Sequence, residues 1–309
     1  ELIHPDAVKA LSEVVRSDSH SAVRAAALTT LGRMKSVLVI PPILESAAID
    51  ADEFVRKQAR RVLYKLDRST VFPFVVAISD SEELKVRKEA LLYLGAQWSP
   101  KADGVLIRAF GDFPEMFRVA RQILRGFSQA RQLAVLSKAT EHSAAAVQVG
   151  AVELLAGMVL PGAPELILRV YQRGLKDDSV REVVQRALRA KRSQLPVGEF
   201  VNRADSLDEN VETRAGALIL LGTIGGAQAE AALLRALRAD SLLLQGTAAI
   251  ALGKTGNPVH LGVLEAMLSE PSNRRIQVHL KTAIRQLSLS SVLHGNGAIS
   301  KQVSAAQLR

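Results

Sequence analysis

An apolar or β-branched residue is followed four positions later by alanine, eight later by leucine and nine later by glycine at Val23, Val86, Thr213 and Leu244. At 3.6 residues per turn those positions line up on one narrow helical face. Extending the pattern places anchors at Val23, Val55, Val86, Met116, Val147, Val180, Thr213, Leu244 and Ile276. Their spacings are 32, 31, 30, 31, 33, 33, 31 and 32 residues. Between the anchors lies a second amphipathic segment: Asp6–Val15, Val37–Ile49, Ser69–Ile78, Ala102–Phe110, Ala130–Lys138, Ala163–Gly174, Val197–Ala204, Ala227–Leu237 and Pro258–Leu268. Each period is therefore predicted to be a helix pair, and such a steady period marks units that pack mainly on their neighbours. The alanine at the fourth position suits a helix crossing, where a small side chain lets axes approach to about 8–10 Å. Flanking Val and Leu fill the layer.

These residues resemble the HEAT repeat, and the short period is similar to the HEAT-like variety named after the phycobilisome lyases. The resemblance implies an all-α fold, a right-handed α-solenoid of about nine two-helix repeats. It also implies a ladder in which an Asp before the second helix and an Arg six residues on run through the stack. Asp18 and Arg24, Asp50 and Arg56, Asp112 and Arg118, and Asp208 and Arg214 keep that gap, while Asp80 to Arg87 has seven. Gln148, Gln245 and Gln277 break the ladder. The Trp, Leu-Gly, Tyr pattern of tetratricopeptide repeats and the Thr-Pro-Leu-His of ankyrins are absent from the sequence. The expected layout is one repeat domain over 1–287 and a polar tail or capping segment over 288–309, in a body about 80–90 Å long at ~10 Å per layer.

Composition agrees with stacked helices. Of 309 residues 48% are apolar but only 4% aromatic, a balance that favours Ala, Val and Leu packing over strands. The lack of cysteine excludes disulfides, thiolate metal sites and cysteine catalysis. No apolar run reaches the ~18 residues needed to span a bilayer. A soluble, cytoplasmic chain is the expectation, with a processed or membrane-anchored parent as the alternative because residue 1 is Glu.

Charge narrows the choice of partner. Forty Lys and Arg against 31 Asp and Glu give +9, which favours an acidic partner. The excess sits in second helices: Arg56, Lys57, Arg60, Arg61 and Lys65, then Lys85, Arg87 and Lys88, then Arg118, Arg121 and Arg125, then Arg181, Arg186, Arg189, Lys191 and Arg192. By the resemblance, second helices line the concave side. Opposite the packing face fall positions 2, 6, 9 and 13, which hold Lys57, Arg61, Lys88, Arg125, Arg186 and Arg189. Equivalent positions elsewhere are Ala25, Thr29, Ala215, Ile219, Gly246 and Ile250. A cationic middle and an apolar C-terminal third suit a protein or peptide with acidic and apolar features. Nucleic acid, held by arginines on phosphates, is the competing partner.

Reaction chemistry is not visible. None of the six histidines precedes Glu, so the His-Glu motifs of the HEAT-repeat hydroxylase that acts on deoxyhypusine are missing, and no helical His pair is spaced for zinc. Each histidine reads as exposed or as a cap. Leu221–Gly226 and Gly253–Gly256 resemble phosphate loops but fall where second helices end, so their glycines are expected to terminate helices. Asp177-Asp178 and Glu82-Glu83 read as helix caps. HEAT-like alkylpurine glycosylases use cleft tryptophans, whereas Trp98, the single tryptophan, sits in a loop before Pro100. Tyr64 and Tyr93 read as packing residues. The expectation is a non-enzymatic, cofactor-free scaffold that binds its partner through Lys57, Arg61, Lys88, Arg125, Arg186, Arg189, Ile219 and Ile250. The alternatives are a nucleic-acid binder and a lyase-like enzyme or chaperone. Replacing Ala90 or Ala217 by Leu should overpack a crossing and lower the unfolding free energy by about 1–3 kcal/mol, read by urea denaturation.

Overall fold

The computed structural model describes residues 5–34, 36–173 and 177–289, and all regular structure among them is helical. The chain divides into two compact units, Glu1–Leu154 and Leu155–Arg309. The expected terminal segment falls almost wholly outside the described residues; helix continues through residue 289.

The first unit contains five helix pairs: α1 (Pro5–Ser17) with α2 (Ser21–Leu31), α3 (Ile40–Ile49) with α4 (Glu53–Lys65), α5 (Arg68–Ile78) with α6 (Leu84–Ala96), α7 (Asp103–Arg108) with α8 (Pro114–Arg125), and α9 (Gln129–Thr140) with α10 (Ala145–Gly157). The boundary between units falls inside α10. The second unit pairs α11 (Ala163–Gln172) with α12 (Asp178–Ala190), α13 (Val197–Asp205) with α14 (Val211–Ile224), α15 (Ala227–Ala236) with α16 (Leu242–Thr255), and α17 (Leu261–Ser269) with helical residues 277–289. Within each unit the first helices pack on first helices and the second on second, giving two layers.

Periodicity explains the core. Val55, Val86, Met116, Val147, Val180, Leu244 and Ile276 are buried, as are the alanines Ala59, Ala90, Ala120, Ala151 and Ala248 four residues after their anchors. Thr213 is half-buried, and Val23 is exposed at 43%, because among the described residues α2 has a second helix on one side only. The second helices α4, α12 and α14 start on side-chain caps: Asp52 accepts from the Phe54 amide at 2.8 Å, Asp177 from Ser179 at 2.9 Å and Asn210 from Thr213 at 2.7 Å. Hydrogen bonds to the helix amides, and to neighbouring hydroxyls, hold the Asp52 and Asp177 carboxyls below the usual range. Glu83 caps α6, so the acidic pairs before α6 and α12 supply caps as expected.

Of the glycines expected to terminate helices, Gly225 and Gly256 do end α14 and α16, but the ninth-position glycines do not. Gly222 and Gly253 lie inside α14 and α16, and the positive φ angles belong to Gly225, Gly226 and Gly256 just beyond them and to Gly162. A Cβ on Gly222 would stand 2.6 Å from the Ala251 carbonyl oxygen, and one on Gly253 would stand 2.8 Å from the Ala283 Cα. Gly95 faces Ile123 of the following second helix in the same register. These glycines set how closely successive second helices approach.

The ladder also differs in its wiring. Arg24, Arg56 and Arg87 each donate to the carbonyl six residues earlier, at 2.8, 2.6 and 2.9 Å. Gln148 and Gln245, expected to interrupt the ladder, make the same bond at 2.5 and 2.7 Å, because an amide N–H reaches the carbonyl as well as a guanidinium does. Carboxylates come from the next repeat: Arg24 forks onto Asp50 at 2.8 and 2.9 Å, and Arg87 reaches Asp112 at 3.2 Å. Arg24 and Asp50 are 11% and 6% exposed, so removing one partner would strand a buried charge at a cost of about 3–5 kcal/mol. Arg118 forms no salt bridge, and Arg214 instead reaches the Ala204 carbonyl at 3.0 Å; the expected Asp112–Arg118 and Asp208–Arg214 steps are therefore not made.

Gly222→Ala should lower stability by about 1–3 kcal/mol, since the new methyl meets backbone that cannot yield. Gly216→Ala in the same helix, where a Cβ meets nothing within 4 Å, should be neutral or stabilise by up to ~1 kcal/mol. Urea melts of the two variants read the contrast.

Candidate functional site

In the first unit the predicted contacts separate into engaged and free cations. Lys57 pairs with Glu53 of its own helix at 2.8 Å, and Lys88 pairs with Glu115 across α6 and α8. Those lysines hold the Glu53 and Glu115 carboxyls below the usual range. Arg60 forks onto the buried Glu89 at 2.7 Å. Arg61 and Arg125 are exposed and form no ion pair among the described residues.

In the second unit Arg186 pairs loosely with Glu182 at 3.3 Å, one turn away. Arg189 serves a structural end: its Nε donates to the Thr223 carbonyl at 3.0 Å and its Nη2 to the Lys254 carbonyl at 2.6 Å. It thereby joins the C-terminal turns of α14 and α16 to α12, a favourable place for a cation on helix-dipole grounds. Ile219 is 39% exposed on α14, and Ile250 is half-buried on α16.

Ile219 stands on the wall of a cleft of about 560 Å³ formed by α11, α12, α13, α14 and the end of α16. Phe200, Ala217 and Leu220, each at most 7% exposed, form its apolar floor, and three cations stand around it: Arg203, Lys254 and Arg181, the last already paired with Asp178. No lining residue is a carboxylate. Arg203 touches Glu209 only at 3.8 Å, and the Lys254 ammonium forms no salt bridge among the described residues. Tyr171 hydroxyl and Thr223 Oγ1 lie 3.1 Å apart, and Thr223 also donates to the Ile219 carbonyl at 3.0 Å, so the α11 and α14 walls are tied together. Above Gly216 the space is open.

Sequence reasoning found Ile219 but missed Phe200, Arg203 and Tyr171. They belong to first helices, whose contribution to a cleft depends on how two repeats meet. The alternation of an aromatic and an arginine on α13 (Phe200, Arg203) was the available signal.

The remaining chemistry is structural. No group of three or more His, Asp or Glu that could hold a metal ion occurs among the described residues. His260 is buried rather than exposed: it contacts Glu230 at 2.9 Å, and Asn257 donates to the same carboxylate at 2.8 Å. Burial opposes ionisation of Glu230, but these hydrogen bonds outweigh it and hold the carboxyl below its usual range. Trp98 is half-buried against Phe127, with ring centroids 4.6 Å apart, and Tyr64 packs on Tyr93 at 5.2 Å.

A family model for HEAT repeats matches residues 1–64 and 199–284. No curated protein sequence matches the chain. Among solved structures, human deoxyhypusine hydroxylase in complex with glycerol is similar at 17% identity, covering 81% of this chain and 96% of that one, with a TM-score of 0.30. An engineered protein is similar at 18% identity over 91% and 88% of the two chains, TM-score 0.28. A complex of Kap95 with Nup1 is similar at 16% identity over 93% of this chain but 41% of that one, TM-score 0.38.

Arg189→Ala should reduce stability by about 1 kcal/mol or more through loss of two charge-assisted hydrogen bonds. Arg61→Ala and Arg125→Ala, whose side chains make no salt bridge, should change it by less than ~0.5 kcal/mol. Thermal and urea melts of the three variants check the division.

Proposed function

We propose that this chain, a member of the HEAT-repeat family, is a non-enzymatic scaffold that holds an acidic, partly apolar protein segment in the cleft of its second unit. The observation that carries the reading is the lining itself: Arg203 and Lys254 beside the apolar Phe200, Ala217, Ile219 and Leu220, with no carboxylate among the lining residues. An extended peptide presenting a carboxylate beside a bulky apolar side chain would satisfy both parts at once. The charged atoms would gain charge-assisted hydrogen bonds, and the apolar side chain would leave water. The lining holds no histidine and no carboxylate, so nothing in it would serve as a general base at neutral pH apart from an unusually poised lysine. Glutamine and hydroxyl groups at Gln172, Gln185, Thr213 and Tyr171 are suited to fixing a peptide backbone instead.

Fluorescein-labelled 12-residue peptides test this: one alternating Asp or Glu with Leu or Phe, one purely acidic, one apolar and neutral. The mixed peptide should bind at least tenfold tighter than either control. Gly216→Phe, which fills open space above α14, should abolish that binding while leaving the circular dichroism and melting temperature near wild type. Arg203→Glu should weaken it at least tenfold, in line with a like charge placed in the site. Equal binding of all three peptides, or a Gly216→Phe variant that still binds, would sink the proposal.

A further inference from the structure

The cation excess of the first unit is concentrated in three successive second helices. α4, α6 and α8 carry three carboxylates, and each is already neutralised from within the same group: Glu53 by Lys57 at 2.8 Å, Glu89 by Arg60 at 2.7 Å and Glu115 by Lys88. Arg56 and Arg87 are committed to backbone carbonyls. That leaves Arg61, Lys65, Lys85, Arg118, Arg121 and Arg125 exposed and without a salt bridge among the described residues. At 100° per residue they fall within roughly a 140° arc on the side away from the buried anchors. The patch has edges: α2 offers only Arg24, which is held by Asp50, and α10 has no cation and an exposed Glu153.

We infer that this face binds the phosphate backbone of double-stranded nucleic acid, without regard to sequence. α4 and α6 are adjacent through Arg60–Glu89 and Tyr64–Tyr93, and α6 and α8 through Lys88–Glu115. At about 8–10 Å between neighbouring axes, the three helices present a patch on the order of 20 Å across. A duplex carries one charge per ~1.7 Å of axis, so ~20 Å of it holds about 12 phosphates, of which roughly half face one side. Six free cations match that number.

The surroundings favour a duplex over other polyanions. A single strand needs a series of rings for its bases, but Tyr64 is spent on Tyr93 and Phe54, in the first turn of α4, is the one strongly exposed ring on this arc among the described residues. A protein partner needs buried apolar anchors; here Leu92 in mid-α6 is half-buried.

Fluorescence anisotropy of the full chain with labelled 20-base-pair DNA and RNA duplexes decides the matter. Binding should be measurable at 50 mM salt and fall about a thousandfold by 200 mM, a slope of log K against log salt near −5 for five or six phosphates. Either duplex obeying that slope supports the inference. The triple variant Arg61→Ala, Arg118→Ala, Arg125→Ala should make the slope shallower by about 3, with unchanged helicity and melting temperature. Gly216→Phe should leave duplex binding intact, so the cleft and this face fail or succeed separately. No duplex binding at 50 mM salt, or a triple variant with the wild-type slope, would overturn it. So would polyglutamate competing as well as duplex at equal charge, or binding confined to phosphatidylserine vesicles.

Discussion

Close approach of successive second helices is the constraint on which each unit depends. An alanine at the fourth position and a leucine at the eighth fill the layer, but the ninth position decides the separation. Where it is glycine, as at Gly222, the next helix lies so near that an added Cβ would collide with the Ala251 backbone. Where it is Tyr64, the neighbouring helix answers with Tyr93 and the two rings pack at 5.2 Å. The same register therefore admits two solutions, small against backbone and large against large, and both keep the layer dense.

Polar bonds support this packing without setting it. The bond from Arg or Gln to the carbonyl six residues earlier closes the turn in five repeats, at Arg24, Arg56, Arg87, Gln148 and Gln245, and the carboxylate of the following repeat extends it only where geometry allows. Arg24 and Arg87 find such a partner; Arg118 does not and is left at the surface. One sequence signature thus yields structural arginines in some repeats and free ones in others. Cations that the ladder and the interhelical pairs leave over remain at the surface.

Those surplus charges fall into two environments with different physics. In the second unit Arg203 and Lys254 stand beside apolar side chains in a cleft, where a desolvated anion would feel them strongly. In the first unit Arg61 and Arg125 stand on an open helical face under full solvent screening, where only many charges together give appreciable attraction. An anion in the cleft would be held by a few strong contacts, whereas one on the open face would need many charges acting together.

The amino-acid sequence alone determined the number and order of the helix pairs, their buried faces and the caps at Asp177 and Glu83, because these follow from spacing along one chain at 3.6 residues per turn. It also carried the total charge and its concentration in second helices. Tertiary structure decided which cations remain free: Lys88 met Glu115 and Arg189 met two helix ends, partners 27, 34 and 65 residues away that no local pattern could name. It likewise decided that Gly222 spaces helices rather than ending one, and that Phe200 and Arg203 join Ile219 around a cleft. Both outcomes arise where different repeats meet, and repeat-to-repeat offsets are set by packing volume, not by periodicity.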